Sequence, residues 1–287
     1  MTLPFEPHRP RLIGLAYRML GSFAEAEDVV QDAFLRVRDV AAEEIAEPQA
    51  YLTRTVARLC LDRLKSARAR REVYVGTWLP EPLLENETPA PDAALDLAED
   101  LSYALLVTLE RLSPPERTAF LLHDVFGMEY DSVASVLERS EASCRKLAER
   151  ARAQVHEGRP RFEPTQEDEQ QLVHAFMQAS STGDTAGLMK ILAQDAVLYS
   201  DGGGKRHAAL NPVFGAERIC RFFAGVIRKS NFIVPQRVEL RRVNGMPGCL
   251  MSYENGDVVV GVLEIREQRI TGIYVISNPD KLQHLRS

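Results

Sequence analysis

Ser143, Arg145, Lys146, Arg150 and Arg152 fall on the outward positions left by an apolar series of Cys144, Leu147 and Ala151. Cationic groups spaced in this way neutralise phosphates, and arginine forks and serine hydroxyls reach base edges in a major groove. A second basic row, Arg54, Arg58, Arg63 and Lys65, lies within residues 52–72, which hold seven bases and two acids. Residues 139–159 hold six bases and three acids, whereas 76–101 between them hold seven acids and no base. Two cationic helical stretches around an anionic tether are thus hidden inside a net charge of −6. On pattern alone, solvated basic faces on ordinary helices compete with a nucleic-acid role.

The elements that must carry these rows are helical. Leu12, Leu15, Ala16 and Met19 recur at helical spacing up to Gly21, and Ala26, Val30, Ala33 and Val37 form the next apolar face. A third helix follows Pro48, with Leu52, Val56, Leu59, Leu61 and Leu64 inward and the bases, Arg68, Arg70 and Arg71 among them, outward. Pro80, Pro82, Pro89 and Pro91 keep 76–100 out of continuous helix, so this is a linker. It contains the sole tryptophan, Trp78, which is expected to dock at a specific place. Ser113-Pro114-Pro115-Glu116 is a helix start, and 128–137 and 140–152 read as two short helices joined by a tight turn. This is a helix-turn-helix, with Val133, Ala134, Leu137, Cys144, Leu147 and Ala151 as its expected small core.

Beyond residue 160 the alphabet changes. Helices are expected at 166–180, 184–193 and 216–228, and strands at 196–200, 237–243, 248–253, 258–265 and 270–276. The fold class is therefore multidomain, with two all-α domains followed by an α+β domain. The expected boundaries are 1–75, 76–100 (linker), 101–158 and 164–287. At 287 residues the chain has room for them. No apolar run approaches the ~20 residues of a membrane span, and the first ten residues lack the apolar core of a secretion signal. A cytoplasmic protein without membrane association is expected. Cys60, Cys144, Cys220 and Cys249 are scattered with no CxxC pair, which argues for reduced thiols and against a disulfide frame or a zinc site; no nucleotide-binding loop is seen, and no cofactor is expected.

Several motifs in series resemble one family. Residues 26–36 (AEDVVQDAFLR) and 51–63 (YLTRTVARLCLDR) are similar to region 2, and 112–117 (LSPPER) with the helix-turn-helix to region 4, of extracytoplasmic-function (ECF) sigma factors of the sigma-70 family. The resemblance covers about residues 5–157. It implies a transcription initiation factor whose partners are core RNA polymerase and promoter DNA. Asp28, Gln31, Asp32 and Arg36 would contact polymerase. Arg54, Arg58, Arg63 and Lys65 would lie near the −10 element, and Ser143, Arg145, Lys146, Arg150 and Arg152 would read the −35 element. Tyr51, Arg58 and Arg38 depart from the Trp, Asn and Trp common at their positions.

The last third resembles the SnoaL-like domain, a cone of the nuclear-transport-factor-2-like class, fused at the C-terminus of a subgroup of these factors. The residues that carry this likeness are Trp78, Leu79, Pro80, Glu81 and Pro82 in the linker, Asp201, Gly202, Gly203, Gly204 and Lys205, and Asn278, Pro279, Asp280, Lys281 and Leu282. It implies regulation in cis by the cone. The glycine loop is expected to present Lys205 and Arg206 to the Trp78–Pro82 linker, where Glu81 would be the partner of Lys205, or to region 2, and the 278–282 segment to pack back onto the linker or region 4. Two alternatives are a SnoaL-like enzyme using Asp201, His207 and Tyr199, and a sensor whose partner is a small molecule held in the cone. With no paired carboxylates and no Cys/His signature, the non-enzymatic reading is preferred. A helix-turn-helix repressor that binds its operator without polymerase is the remaining alternative.

Overall fold

The computed structural model describes residues 3–41, 43, 45–71, 74–85, 102–156, 165–229 and 233–285. The linker residues 86–100, the join at 157–164 and the side chains of Arg68, Arg70 and Arg71 lie outside the described set. Two compact units are formed, one from residues 3–71 and 105–156, the other from 74–85, 102–104 and 165–285.

The first unit is all helical. In α1 (Arg9–Leu20) the chain stops where Gly21 turns left-handed, and α2 (Phe23–Val37) starts with the Ser22 hydroxyl accepting the Glu25 amide. Both pack on α3 (Pro48–Arg71). Most of α4 (Tyr103–Arg111) belongs to this unit, followed by α5 (Pro114–Phe120), whose last turn widens into a π-helical segment at Leu121–Val125. The Ser113 amide donates to Glu116, closing the start of α5. The helix-turn-helix is α6 (Tyr130–Leu137) and α7 (Glu141–His156).

Every residue assigned to the inner faces of α1, α2 and α3 is buried, and Val29 joins them. In the helix-turn-helix, Val133, Leu137, Cys144, Leu147 and Ala151 are buried. Ala134 is half-exposed instead, and Val136 takes the inner place. At 100° per residue Tyr130, Val133, Val136 and Leu137 share the inward face of α6, and Ala134 falls at its edge.

The second unit is α+β. Its six strands are β1 (Leu192–Asp201), β2 (Val213–Phe214), β3 (Arg237–Val243), β4 (Met246–Ser252), β5 (Val258–Arg266) and β6 (Arg269–Ile276), in the order β2-β1-β6-β5-β4-β3. The pairing is antiparallel except for β1 with β6, which run parallel. The second expected helix ends at Ile191 because Leu192 is already paired with Ile270. One strand, β2, was not expected; two residues are too few to show a period. Three helices, α8 (Gln166–Thr182), α9 (Thr185–Ile191) and α10 (Ala216–Ile227), share a core with the sheet. Phe176, Leu188, Leu198, Ile219, Leu263 and Ile273 fill this space.

Part of the linker completes the sheet. The Leu83 carbonyl accepts the Asn244 amide at 2.9 Å and the Asn244 side chain accepts the Leu83 amide at 3.0 Å. The Glu85 amide donates to Arg242, so residues 83–85 add a short antiparallel bridge beside the end of β3. Burial of Leu79, Leu83 and Leu84 anchors this strip.

Candidate functional site

The outward side of α7 is built by its N-terminus and one aromatic ring. The Ser140 hydroxyl accepts the Ser143 amide, fixing the first turn. The Arg145 guanidinium lies 4.4 Å from the Tyr130 ring centroid and pairs with Glu141 at 2.9 Å. Arg152 is held on two sides, by Asp124 at 2.6 Å and by the Tyr130 hydroxyl at 2.8 Å. Arg150 lies 3.5 Å from Glu116. Arg145, Lys146 and Arg150 are exposed, whereas Ser143 and Arg152 are half-buried.

On α3 the basic row is already engaged. Arg58 donates to the carbonyl and hydroxyl of Ser135 on α6 at 2.9 and 3.1 Å. Arg63 pairs with Asp32 at 3.0 Å and Asp28 at 3.7 Å, and Lys65 with Asp62 at 3.3 Å. Arg54 lines a shallow hollow of about 400 Å³ with Tyr51, Glu47 and Ser132. Gln31 and Arg36 stand exposed on α2. Arg63, expected to face DNA, thus neutralises Asp28 and Asp32, expected to face polymerase, across α2 and α3.

In the second unit a buried carboxylate collects the linker. Asp201, at the end of β1, accepts the Leu79 amide at 2.9 Å, the Tyr74 hydroxyl at 2.5 Å, the Gly203 amide at 3.0 Å and Lys281 at 2.7 Å. The Lys281 ammonium also bonds the Leu79 carbonyl and sits 3.8 Å from the Trp78 ring centroid. Asn278 donates to Tyr74 at 2.8 Å, and Gly203 is left-handed where a Cβ would overlap the Asn278 side-chain amide. Pro80 offers its carbonyl to the Tyr103 hydroxyl at 2.6 Å, and Pro80, Pro82, Gly202 and Leu282 are all buried. Lys205 does not meet Glu81. Its partner is Asp280, at 2.6 Å, while Glu81 faces His284 at 3.5 Å. Exposed Gly204 and Lys205 leave the inward work to Asp201, so the glycine loop engages the linker through its first residue and not its last. Pro279 and Asp280 open the 3-10 turn that carries Lys281 inward.

Comparison with known proteins settles the family. Sigma-70 region 2 matches residues 5–70, and sigma-70 region 4 matches residues 102–155. The ECF RNA polymerase sigma factor SigJ of Mycobacterium tuberculosis is 37% identical over 96% of this chain and 91% of its own. The chain is an ECF RNA polymerase sigma factor. Probable ECF sigma factor SigI of the same species is 32% identical to this sigma factor over its whole length and 96% of the relative. The crystal structure of SigJ superposes with a TM-score of 0.77 at 35% identity, covering 98% of the sigma factor and 97% of that chain.

Two contributors to the clasp carry no signal in the sequence: Tyr74, just before the tryptophan motif, and Asn244, in the turn between β3 and β4. A hydroxyl and an amide among many carry no pattern. Burial, and then the bond to Asp201, push the Tyr74 hydroxyl far above the usual tyrosine range. The folded sigma factor therefore keeps this proton where the unfolded chain loses it. The contribution is whole below pH ~10 and declines as pH rises beyond it. Tyr74→Phe is expected to flatten the alkaline fall in melting temperature, though not abolish it, since burial shifts Tyr253 the same way. An unchanged alkaline slope would contradict this assignment. The four free cysteines are buried, with Cys249 pushed up to about 11, so none is a ready nucleophile. Among the described residues no helix is long and apolar enough to cross a membrane.

Proposed function

We propose that this sigma factor carries core RNA polymerase to promoters by reading the −35 element with Ser143, Arg145, Lys146, Arg150 and Arg152 on α7. In the same step Arg54, Arg58, Arg63 and Lys65 on α3 act at the −10 element, and Asp28, Gln31, Asp32 and Arg36 on α2 hold the polymerase. The observation that carries this reading is the exchangeable pairing of Arg63 with Asp28 and Asp32, and of Arg58 with Ser135. Exposed pairs of this kind contribute little to stability, so they yield when a duplex and a polymerase surface compete for them. No turnover is part of the proposal: the apolar filling of the cone supports a binding and regulatory role.

Regulation in cis belongs to the clasp among Trp78, Leu79 and Glu81 of the linker, the Asp201–Lys205 loop and the Asn278–Leu282 segment. The linker is tethered to the cone by backbone and side chain together, so the clasp sets how much linker is left to span between the DNA-reading helices. Abortive transcription with purified core polymerase is the test. Product is expected only when the chain is present, and Lys146→Ala should lower it roughly tenfold, the loss of ~1–3 kcal/mol of groove contact. Asp201→Asn and Lys281→Met should each alter output, and the double variant should not add. Output equal to wild type in both single variants would dismiss the regulatory role and leave the initiation role standing.

A further inference from the structure

The outward face of α10 has no part in the clasp or in the helix-turn-helix. Its inward face is Ala216, Ile219 and Cys220, with Phe222 and Phe223 packed against the same core. The opposite arc carries Arg218 and Arg221, continues through Gly225, and ends on Arg228 and Lys229 just past the helix. All four bases are exposed, and none has an ion pair among the described residues. Glu217 is the one acid in 216–229, in a chain whose net charge is −6. From Arg218 to Lys229 the row is about 16 Å long at 1.5 Å per residue. Duplex DNA carries one negative charge about every 1.7 Å of its axis, so a row of this length can lay its four cations against several backbone phosphates. Gly225 stands in the middle of the arc, where a Cβ would meet nothing within 4 Å. Glycine is a poor helix residue, and here it leaves a gap in the side-chain layer between Arg221 and Arg228.

We propose that this face of α10 is a second, sequence-independent binding surface for the phosphodiester backbone of duplex DNA. The proposal rests on the reading of the chain as a factor that works on promoter DNA. Duplex DNA is favoured over an acidic protein because the arc offers four exposed cations on one face and no apolar anchor, the pattern of a backbone contact rather than a protein hot spot.

The test uses the full chain with Arg218, Arg221, Arg228 and Lys229 all changed to Gln, its folding checked by circular dichroism and thermal melting. Fluorescence anisotropy follows binding to a labelled promoter duplex and to a scrambled duplex between ~50 and ~200 mM salt. Loss of four phosphate contacts is expected to make the slope of log K against log salt shallower by up to about 3.6 and to weaken both duplexes alike, by roughly tenfold or more. Lys146→Ala, in contrast, should weaken the promoter duplex selectively. Unchanged affinity and slope in the quadruple variant overturn the proposal, as does a loss of core-polymerase binding with duplex binding intact. If the wild-type chain supports no transcription yet the quadruple variant still shows the shallower slope, the initiation reading fails and the α10 surface stands.

Discussion

Replacing Arg117 with alanine is expected to destabilise the first unit by about 3–5 kcal/mol, the cost of leaving half of a buried ion pair behind. The Arg117 side chain is 2% exposed, and one of its nitrogens bonds Glu110 and the Met19 carbonyl, both at 2.6 Å. Met19 lies in the last turn of α1, where carbonyls have no partner within the helix. Alanine therefore leaves a largely buried carboxylate without its cation and a helix end without its donor. Urea denaturation followed by far-UV circular dichroism measures the effect. Removing the carboxylate as well, as in Arg117→Met with Glu110→Leu, should recover a large part of the loss, because two apolar groups carry no unmet charge. A loss below about 1 kcal/mol in Arg117→Ala would mean that water reaches the pair in solution.

The second large effect is expected at Asp201. Its side chain is fully buried and takes donors from Tyr74, Leu79, Gly203 and Lys281. In Asp201→Ala the Lys281 ammonium, itself only 11% exposed, loses its counter-charge, and the Leu79 amide loses its acceptor. The same reasoning gives about 3–5 kcal/mol, here in the unfolding of the second unit. Lys281→Met in the Asp201→Ala background should restore part of it. The readout is the thermal transition, with Trp78 fluorescence reporting the linker because Lys281 lies against its ring. If Trp78 emission is unchanged while the unit is destabilised, the carboxylate braces the cone without holding the linker.

The helices and most strands were legible because burial imposes periods of 3.6 and 2 on apolar residues. Leu12, Leu15, Ala16 and Met19 show the helical period directly, whereas Val258 through Ile265 were legible as a short, nearly continuous apolar run, the mark of a strand covered on both faces. The basic rows were legible because charge clusters survive without any knowledge of contacts. Partner choice was not. Lys205 and Glu81 are plausible mates by sign, yet the 3-10 turn at Pro279–Lys281 delivers Asp280 to Lys205 and Lys281 to Asp201. Arg117 sits in a polar helix-start motif, and nothing in that string reveals that tertiary packing closes over it. The pairing of Arg63 with Asp28 and Asp32 is equally silent in sequence, since it depends on how α2 lies along α3.

The distances along the chain within the clasp have a consequence for biosynthesis. Leu79 meets Asp201 across 122 residues and Lys281 across 202. At a ribosomal rate of ~5–20 residues per second, the linker emerges roughly 6–40 s before the groups that restrain it exist. The helices of the first unit, whose contacts are mostly local, can fold within that interval. A newly made molecule therefore passes through a stage in which its promoter-reading helices are formed and its tether is still unfastened.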